Sequence, residues 1–140
     1  MVQFTTIVNA SLEKVWKHLL LKIENPEKFV PGVSNVILFE KNPDFVLRQM
    51  TVTNLKNSTI LKEKITFIPY KVRFLLLEHP TMEGYVDNEI KYVSEIETEM
   101  TFTINWIDKT SQSEINNPEL VKNAVEKTKI YIEKINETTT

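Results

Sequence analysis

From about residue 34 to residue 107, apolar and polar side chains alternate with a period of two, and on both sides of that stretch the period lengthens to that of a helix. Turn-forming residues cut the alternating part at Asn42-Pro43-Asp44, at Asn54-Leu55-Lys56-Asn57, at Pro69, from His79-Pro80 to Gly84, and from Ser94 to Glu97. Strands are therefore predicted near 35–41, 45–53, 58–68, 70–78, 84–93 and 98–107. Connections this short join neighbours, so the strands form an antiparallel meander.

Ahead of the meander, Gln3 to Val8 has a β-prone composition and predicts a first strand. Ser11 is placed to cap a helix in which Leu12, Val15/Trp16, Leu19 and Ile23 recur at helical spacing, with Lys14, Lys17, His18 and Lys22 assigned to the solvent side. Asn25-Pro26-Glu27 repeats the start signal, and Pro31-Gly32 stops this second, short helix within two turns. Asn117-Pro118-Glu119 opens a closing helix to about Asn136, with Val121, Ala124/Val125, Thr128, Ile132 and Ile135 on one face. The expected fold class is α+β, a curved antiparallel sheet with two short N-terminal helices and a long C-terminal helix in the order β-α-α-β6-α, as one domain over residues 1–140.

Alternation also assigns faces. In 58–68, Lys62 and Lys64 alternate with Leu61, Glu63, Ile65 and Phe67, and in 98–107 the inward set is Met100, Phe102, Ile104 and Trp106. In 45–53, Arg48 shares the side of Val46, Met50 and Val52, so Arg48 and Glu63 are both charges on apolar faces. A four-residue hairpin loop at 54–57 sets Val52 opposite Thr59, Met50 opposite Leu61 and Arg48 opposite Glu63. The same register logic across Pro69 puts Leu76 beside Glu63. One step further, through a longer loop, it puts Asn88 on that row, flanked by inward Val86, Ile90 and Tyr92.

The expected binding wall is Arg48, Met50, Glu63, Ile65, Phe67, Phe74, Leu76, Asn88, Ile90, Tyr92, Phe102, Ile104 and Trp106 from the sheet, with Val125 and Thr128 from the closing helix. Two readings of the charged pair stand side by side. In one, Arg48 and Glu63 are scaffold that satisfies itself, since buried pairs add little net stability yet are costly to break from one side. Alternatively, they orient a carbonyl, hydroxyl or carboxylate of a bound molecule, as the few polar groups of an apolar pocket do.

Composition narrows the chemistry. Seventeen basic residues are scattered among nineteen acidic ones, for a net charge of −2, so the electrostatic footprint of a nucleic-acid binder is missing. No apolar run spans a bilayer and the first residues lack a signal-peptide pattern, which predicts a cytoplasmic protein without an integral membrane segment, monomeric or a weak homodimer. Two histidines and no cysteine argue against a metal site, and two glycines cannot build a phosphate-cradling loop, so no cofactor is expected. No serine or threonine sits in a nucleophile elbow, and the Val15/Trp16 pair reads as core.

Ser11-Leu12-Glu13-Lys14-Val15-Trp16 resembles the helix-opening motif of the START-like (SRPBCC) helix-grip superfamily, with the Bet v 1-like fold, and the order of elements over the chain is similar to it. Within that superfamily, Asn25-Pro26-Glu27-Lys28-Phe29-Val30-Pro31-Gly32, the strands carrying Arg48 and Glu63, and Glu83-Gly84 resemble a small subgroup, the acetylaranotin-cluster-protein-L-like domains of unknown function. The resemblance implies a cavity between sheet and C-terminal helix that holds a small hydrophobic ligand such as a lipid, polyketide or isoprenoid-like molecule. It also implies two alternatives. One is a cyclase or dehydratase in which Glu63 serves as acid/base and Arg48 as oxyanion or carboxylate partner, with Asn88 and Tyr92 steering; the other is a co-chaperone-like interaction domain.

Overall fold

The computed structural model describes residues 1–53, 56–115 and 117–138, with side chains as far as Lys134. Asn54 and Leu55 of the expected hairpin loop, and the side chain of Ile135 on the closing helix, lie outside the described residues.

Strand β1 (Val2–Val8) leads into helix α1 (Leu12–Glu24), where the Ser11 side chain accepts from the Lys14 N–H and Glu13 stands in the first turn. The expected second helix is reduced to one 3-10 turn, Pro26–Lys28. Pro31-Gly32 ends it at once, because Gly32 adopts φ +78° and a Cβ there would lie 2.2 Å from the Thr53 carbonyl oxygen. Six strands follow: β2 (Val33–Lys41), β3 (Phe45–Thr53), β4 (Ser58–Ile68), β5 (Lys71–Glu78), β6 (Met82–Ser94) and β7 (Glu97–Asp108). Helix α2 (Pro118–Thr138) closes the chain.

All seven strands form one antiparallel sheet in the order β1-β7-β6-β5-β4-β3-β2. The two ends of the chain thus meet on one side of the sheet, with α2 packed chiefly on β1 and β7 and α1 on β6 and β7. Beneath the helices lies the largest apolar cluster, including Val8, Val15, Leu19, Phe29, Met100, Phe102, Val121, Val125 and Ile132. Burial of side chains of this size contributes roughly 1.5–3 kcal/mol each. A second cluster joins Ile23 of α1 to Val46, Ile65, Val72 and Phe74. The third, Met50, Leu61 and Leu76 with Val33, Val36, Val52, Met82 and Trp106 against it, is built, among the described residues, from strand residues alone.

The register confirms part of the expectation and corrects the rest. Val52 faces Thr59, Met50 faces Leu61, Arg48 faces Glu63, and Glu63 faces Leu76, as a short hairpin requires. Asn88, however, faces Val72 rather than Leu76. The loop joining β5 to β6 does not constrain register as a tight turn does, so Asn88 sits two inward rows away from Arg48 and Glu63. Tyr92 keeps the parity of Asn88 and Ile90 but is 63% exposed: β5 stops pairing at Lys71 opposite Glu89, so the tip of the β6–β7 hairpin projects past its neighbour. The assignment of Lys22 and His18 to the solvent side of α1 is also wrong, since both are buried together with Val15, Leu19 and Ile23.

Candidate functional site

The last turns of α1 bring Lys22 and Ile23 down onto the concave face, and there the polar side chains of the interior converge. The Lys22 Nζ donates to Asn88 Oδ1 at 2.7 Å and lies 4.2 Å from the centroid of Phe102 and 5.4 Å from that of Phe74. Loss of hydration lowers its pKa from 10.5 to about 7, with Arg48 pushing the same way and Glu63 opposing. The two aromatic faces return part of the lost solvation, because a ring quadrupole attracts a cation.

Arg48 comes from the opposite direction. Its Nη2 donates to Glu63 Oε1 at 2.8 Å, and its Nη1 donates to the carbonyl oxygens of Ile23 (2.8 Å) and Lys22 (3.3 Å). The guanidinium therefore pairs with a carboxylate on the neighbouring strand and also satisfies carbonyls near the C-terminal end of α1, where the helix dipole favours positive charge. It stands 5.2 Å from the Phe74 centroid, so Lys22 and Arg48 share one aromatic ring. Arg48, Glu63, Lys22 and Asn88 are 2%, 3%, 5% and 0% exposed.

Two properties of this cluster matter chemically. It contains two cationic side chains, Lys22 and Arg48, and a single carboxylate, Glu63. Beyond that, three buried nitrogens have no hydrogen-bond partner among the described residues: Arg48 Nε, Asn88 Nδ2 and Trp106 Nε1. All three are donors. Trp106 faces Gly84, whose φ of +119° and close approach to the Asn105 carbonyl exclude any side chain.

The other expected site residues fall around this cluster. Ile65 and Phe74 belong to the second apolar cluster, with Phe67 against it, while Met50 and Leu76 belong to the third, beside Trp106. Ile90, Phe102, Ile104 and Val125 are in the main cluster under the helices. Thr128 is fully buried, with its hydroxyl donating to the Ala124 carbonyl of its own helix at 2.8 Å. Tyr92 is not brought to the site.

Lys22 was missed by sequence reasoning, although residues 15, 18, 19, 22 and 23 form an i, i+3, i+4, i+7, i+8 stripe that signals the buried face of α1. His18, on the same stripe, has its Nδ1 2.7 Å from the Lys14 carbonyl oxygen and its ring edge-on to Tyr131. Among the described residues no group of three metal-ligating side chains comes together, and no helix is long and apolar enough to cross a membrane.

A family model described as "Acetylaranotin biosynthesis cluster protein L" matches residues 3–140. The chain belongs to that family. No curated protein sequence matches it. Among solved structures, it is similar to the Zhui aromatase/cyclase from Streptomyces sp. R1128, at 14% identity and TM-score 0.70 over 95% of this chain and 88% of that one. A START superfamily protein from Mycobacterium smegmatis matches at 15% identity and TM-score 0.73, covering 99% and 98% of the two chains. The di-domain aromatase/cyclase StfQ of the steffimycin biosynthetic pathway matches at 12% identity and TM-score 0.74, over 98% of this chain and 46% of that one. At these identities the likeness establishes the helix-grip fold, with its curved antiparallel sheet and long C-terminal helix.

Proposed function

We propose that this member of the acetylaranotin-cluster-protein-L family binds one small, mostly apolar molecule on the concave face of its sheet. The apolar body would lie over Met50, Leu61, Leu76 and Trp106, and one polar end would reach Arg48, Glu63, Asn88 and Lys22. The observation that carries the reading is the set of buried, unpartnered donors beside an apolar cluster to which, among the described residues, neither helix contributes a side chain. Buried N–H groups without a partner are rare and costly, and an apolar wall with a few convergent polar groups is the usual make-up of a small-molecule site. The remaining expected wall residues, Ile65, Phe67, Phe74, Ile90, Phe102, Ile104, Val125 and Thr128, support the floor from the neighbouring clusters.

The test is titration with the uncharged dye N-phenyl-1-naphthylamine, whose fluorescence rises in apolar surroundings. Saturation at about one dye per chain is expected, with loss of binding in a folded Leu76→Trp variant that covers the apolar cluster beside Trp106. A folded wild-type protein that leaves the dye dark overturns the reading.

A second reading has its own support: the protein acts on the bound molecule as a cyclase or dehydratase. The aromatase/cyclase names of two structural neighbours favour it, as does a buried amine, Lys22, that exchanges its proton near neutral pH. Glu63 is less free for acid/base work, because Arg48 already occupies it. Turnover of a synthetic polycarbonyl chain that disappears in Lys22→Met while dye binding persists would establish this reading over simple binding.

A further inference from the structure

We infer that the bound molecule carries an ionised carboxylate head, which accepts from the free N–H of Asn88 and stands as counter-ion to Lys22. The inference rests on the binding reading above and names the chemical class of its ligand.

The interior is one negative charge short. Lys22 and Arg48 are both almost wholly removed from water, and Glu63 is the single carboxylate among the four polar groups of the cluster. Arg48 uses Glu63 directly, at 2.8 Å, whereas Lys22 has only the neutral amide oxygen of Asn88 and the faces of Phe102 and Phe74. A buried ammonium without an anionic partner is strongly disfavoured, and a carboxylate arriving beside it removes that cost.

Hydrogen bonding gives the same sign independently. Every unpartnered buried side-chain nitrogen in the cluster and on its border, Arg48 Nε, Asn88 Nδ2 and Trp106 Nε1, is a donor, so what completes the site is a set of acceptor oxygens. A carboxylate has two oxygens and accepts several bonds while donating none. An alcohol or amine head would bring a donor of its own into a site already rich in donors. A ketone supplies an acceptor but leaves the charge unbalanced.

The groups that act on the Lys22 amine are few. Arg48 on β3 lowers its proton affinity and Glu63 on β4 raises it, while β5, β6 and β7 present Phe74, Asn88 and Phe102. On α1 itself, His18 is turned toward Tyr131 of α2. A bound carboxylate adds a second negative charge facing the amine, so binding above neutral pH must draw a proton onto Lys22.

The experiment is displacement of N-phenyl-1-naphthylamine from the full chain by two probes of equal tail length, dodecanoate and dodecan-1-ol. At about pH 6, dodecanoate should displace the dye at a concentration at least about tenfold lower than the alcohol does. Its advantage should shrink at about pH 8.5, where the free amine is mostly neutral, and vanish at both pH values in Lys22→Met. If Lys22→Met does not fold, calorimetry of dodecanoate binding to the wild-type chain at about pH 8 replaces it: the heats in phosphate and in Tris should differ by the buffers' own ionisation heats, showing proton uptake. Equal potency of acid and alcohol, or heats independent of buffer, overturns the carboxylate inference and leaves the binding reading standing. Failure of the dye itself to bind overturns that reading instead.

Discussion

The sheet carries two arginine–carboxylate pairs, each between residues directly opposite on neighbouring strands, one on either face. On the outer face, Arg73 meets Asp87 through two parallel bonds of 2.9 Å, from Nε to Oδ1 and from Nη2 to Oδ2, while its guanidinium lies 3.8 Å from the centre of the Tyr85 ring. On the inner face, Arg48 meets Glu63 through one such bond, spends two more donors on α1 carbonyls and leaves Nε without a partner. The better-formed fork is the half-exposed one, where it is worth least; the incomplete one is in the interior, where every missing bond costs most. A pair selected for stability alone would show the opposite arrangement. The inner pair holds the end of α1 and leaves one donor without a partner.

Breaking each pair from one side should give the largest difference between them. Glu63→Leu or Arg48→Met leaves a charge stranded in an apolar wall and should cost about 3–5 kcal/mol, while the double change should fall within about 1 kcal/mol of the starting protein. Arg73→Met, in contrast, should cost less, because Lys71 remains 3.7 Å from Asp87 as a second cation. Urea unfolding of the two single-and-double sets measures both; equal costs on the two faces would mean that the inner pair is solvated.

The second difference concerns pH. The Lys22 amine releases its proton at about 7 in the folded chain and at 10.5 in an ordinary setting, so between those values the unfolded chain holds more protons and stability rises with pH. Below about pH 7 both states are protonated and this group contributes no slope. From about pH 7 to 9 the gain should be about 2 kcal/mol, absent in Lys22→Met and retained in Lys71→Met on the outer face. A flat profile in the unaltered protein would place the amine in water.

Salt should give the smallest effect. Raising NaCl to about 1 M should weaken the measured coupling of Arg73 to Asp87 and leave that of Arg48 to Glu63 unchanged, since the latter pair is shielded from counter-ions. Parallel losses in the two double-mutant cycles would contradict the burial of the inner pair.

What was legible in the sequence follows the length of the connections. Arg48 and Glu63 can be paired from the sequence because a tight hairpin determines register and a one-residue slip would turn a whole strand inside out. Leu76 follows from the next short turn. Asn88 was placed inward correctly, but on the wrong row, since a longer loop separates it from β5 and parity survives an even shift that register does not. Tyr92 had the right parity and the wrong surroundings: alternation says which way a side chain points, not whether anything lies beside it.

Lys22 was hidden for another reason. A lysine in an amphipathic helix is normally solvated, and only the neighbours at 15, 18, 19 and 23 indicate otherwise. The sequence thus discloses the fold and half of the polar cluster, and withholds the residue that tips its charge.

The one-sided cost of breaking the inner pair also governs how this protein can drift. With a domain's entire stability typically about 5–15 kcal/mol, a first step that discards Arg48 or Glu63 consumes a large part of it, so descendants retain both unless two codons change together. Persistence of that pair among relatives would accordingly say little about use. Lys22 is held less tightly: Lys22→Met removes a poorly solvated amine and strands no charge, leaving only the Asn88 Oδ1 without its donor, whereas Asn88→Leu would take from Lys22 its acceptor. Lys22, the member of the cluster whose loss strands no charge, is where selection for a ligand would leave its mark.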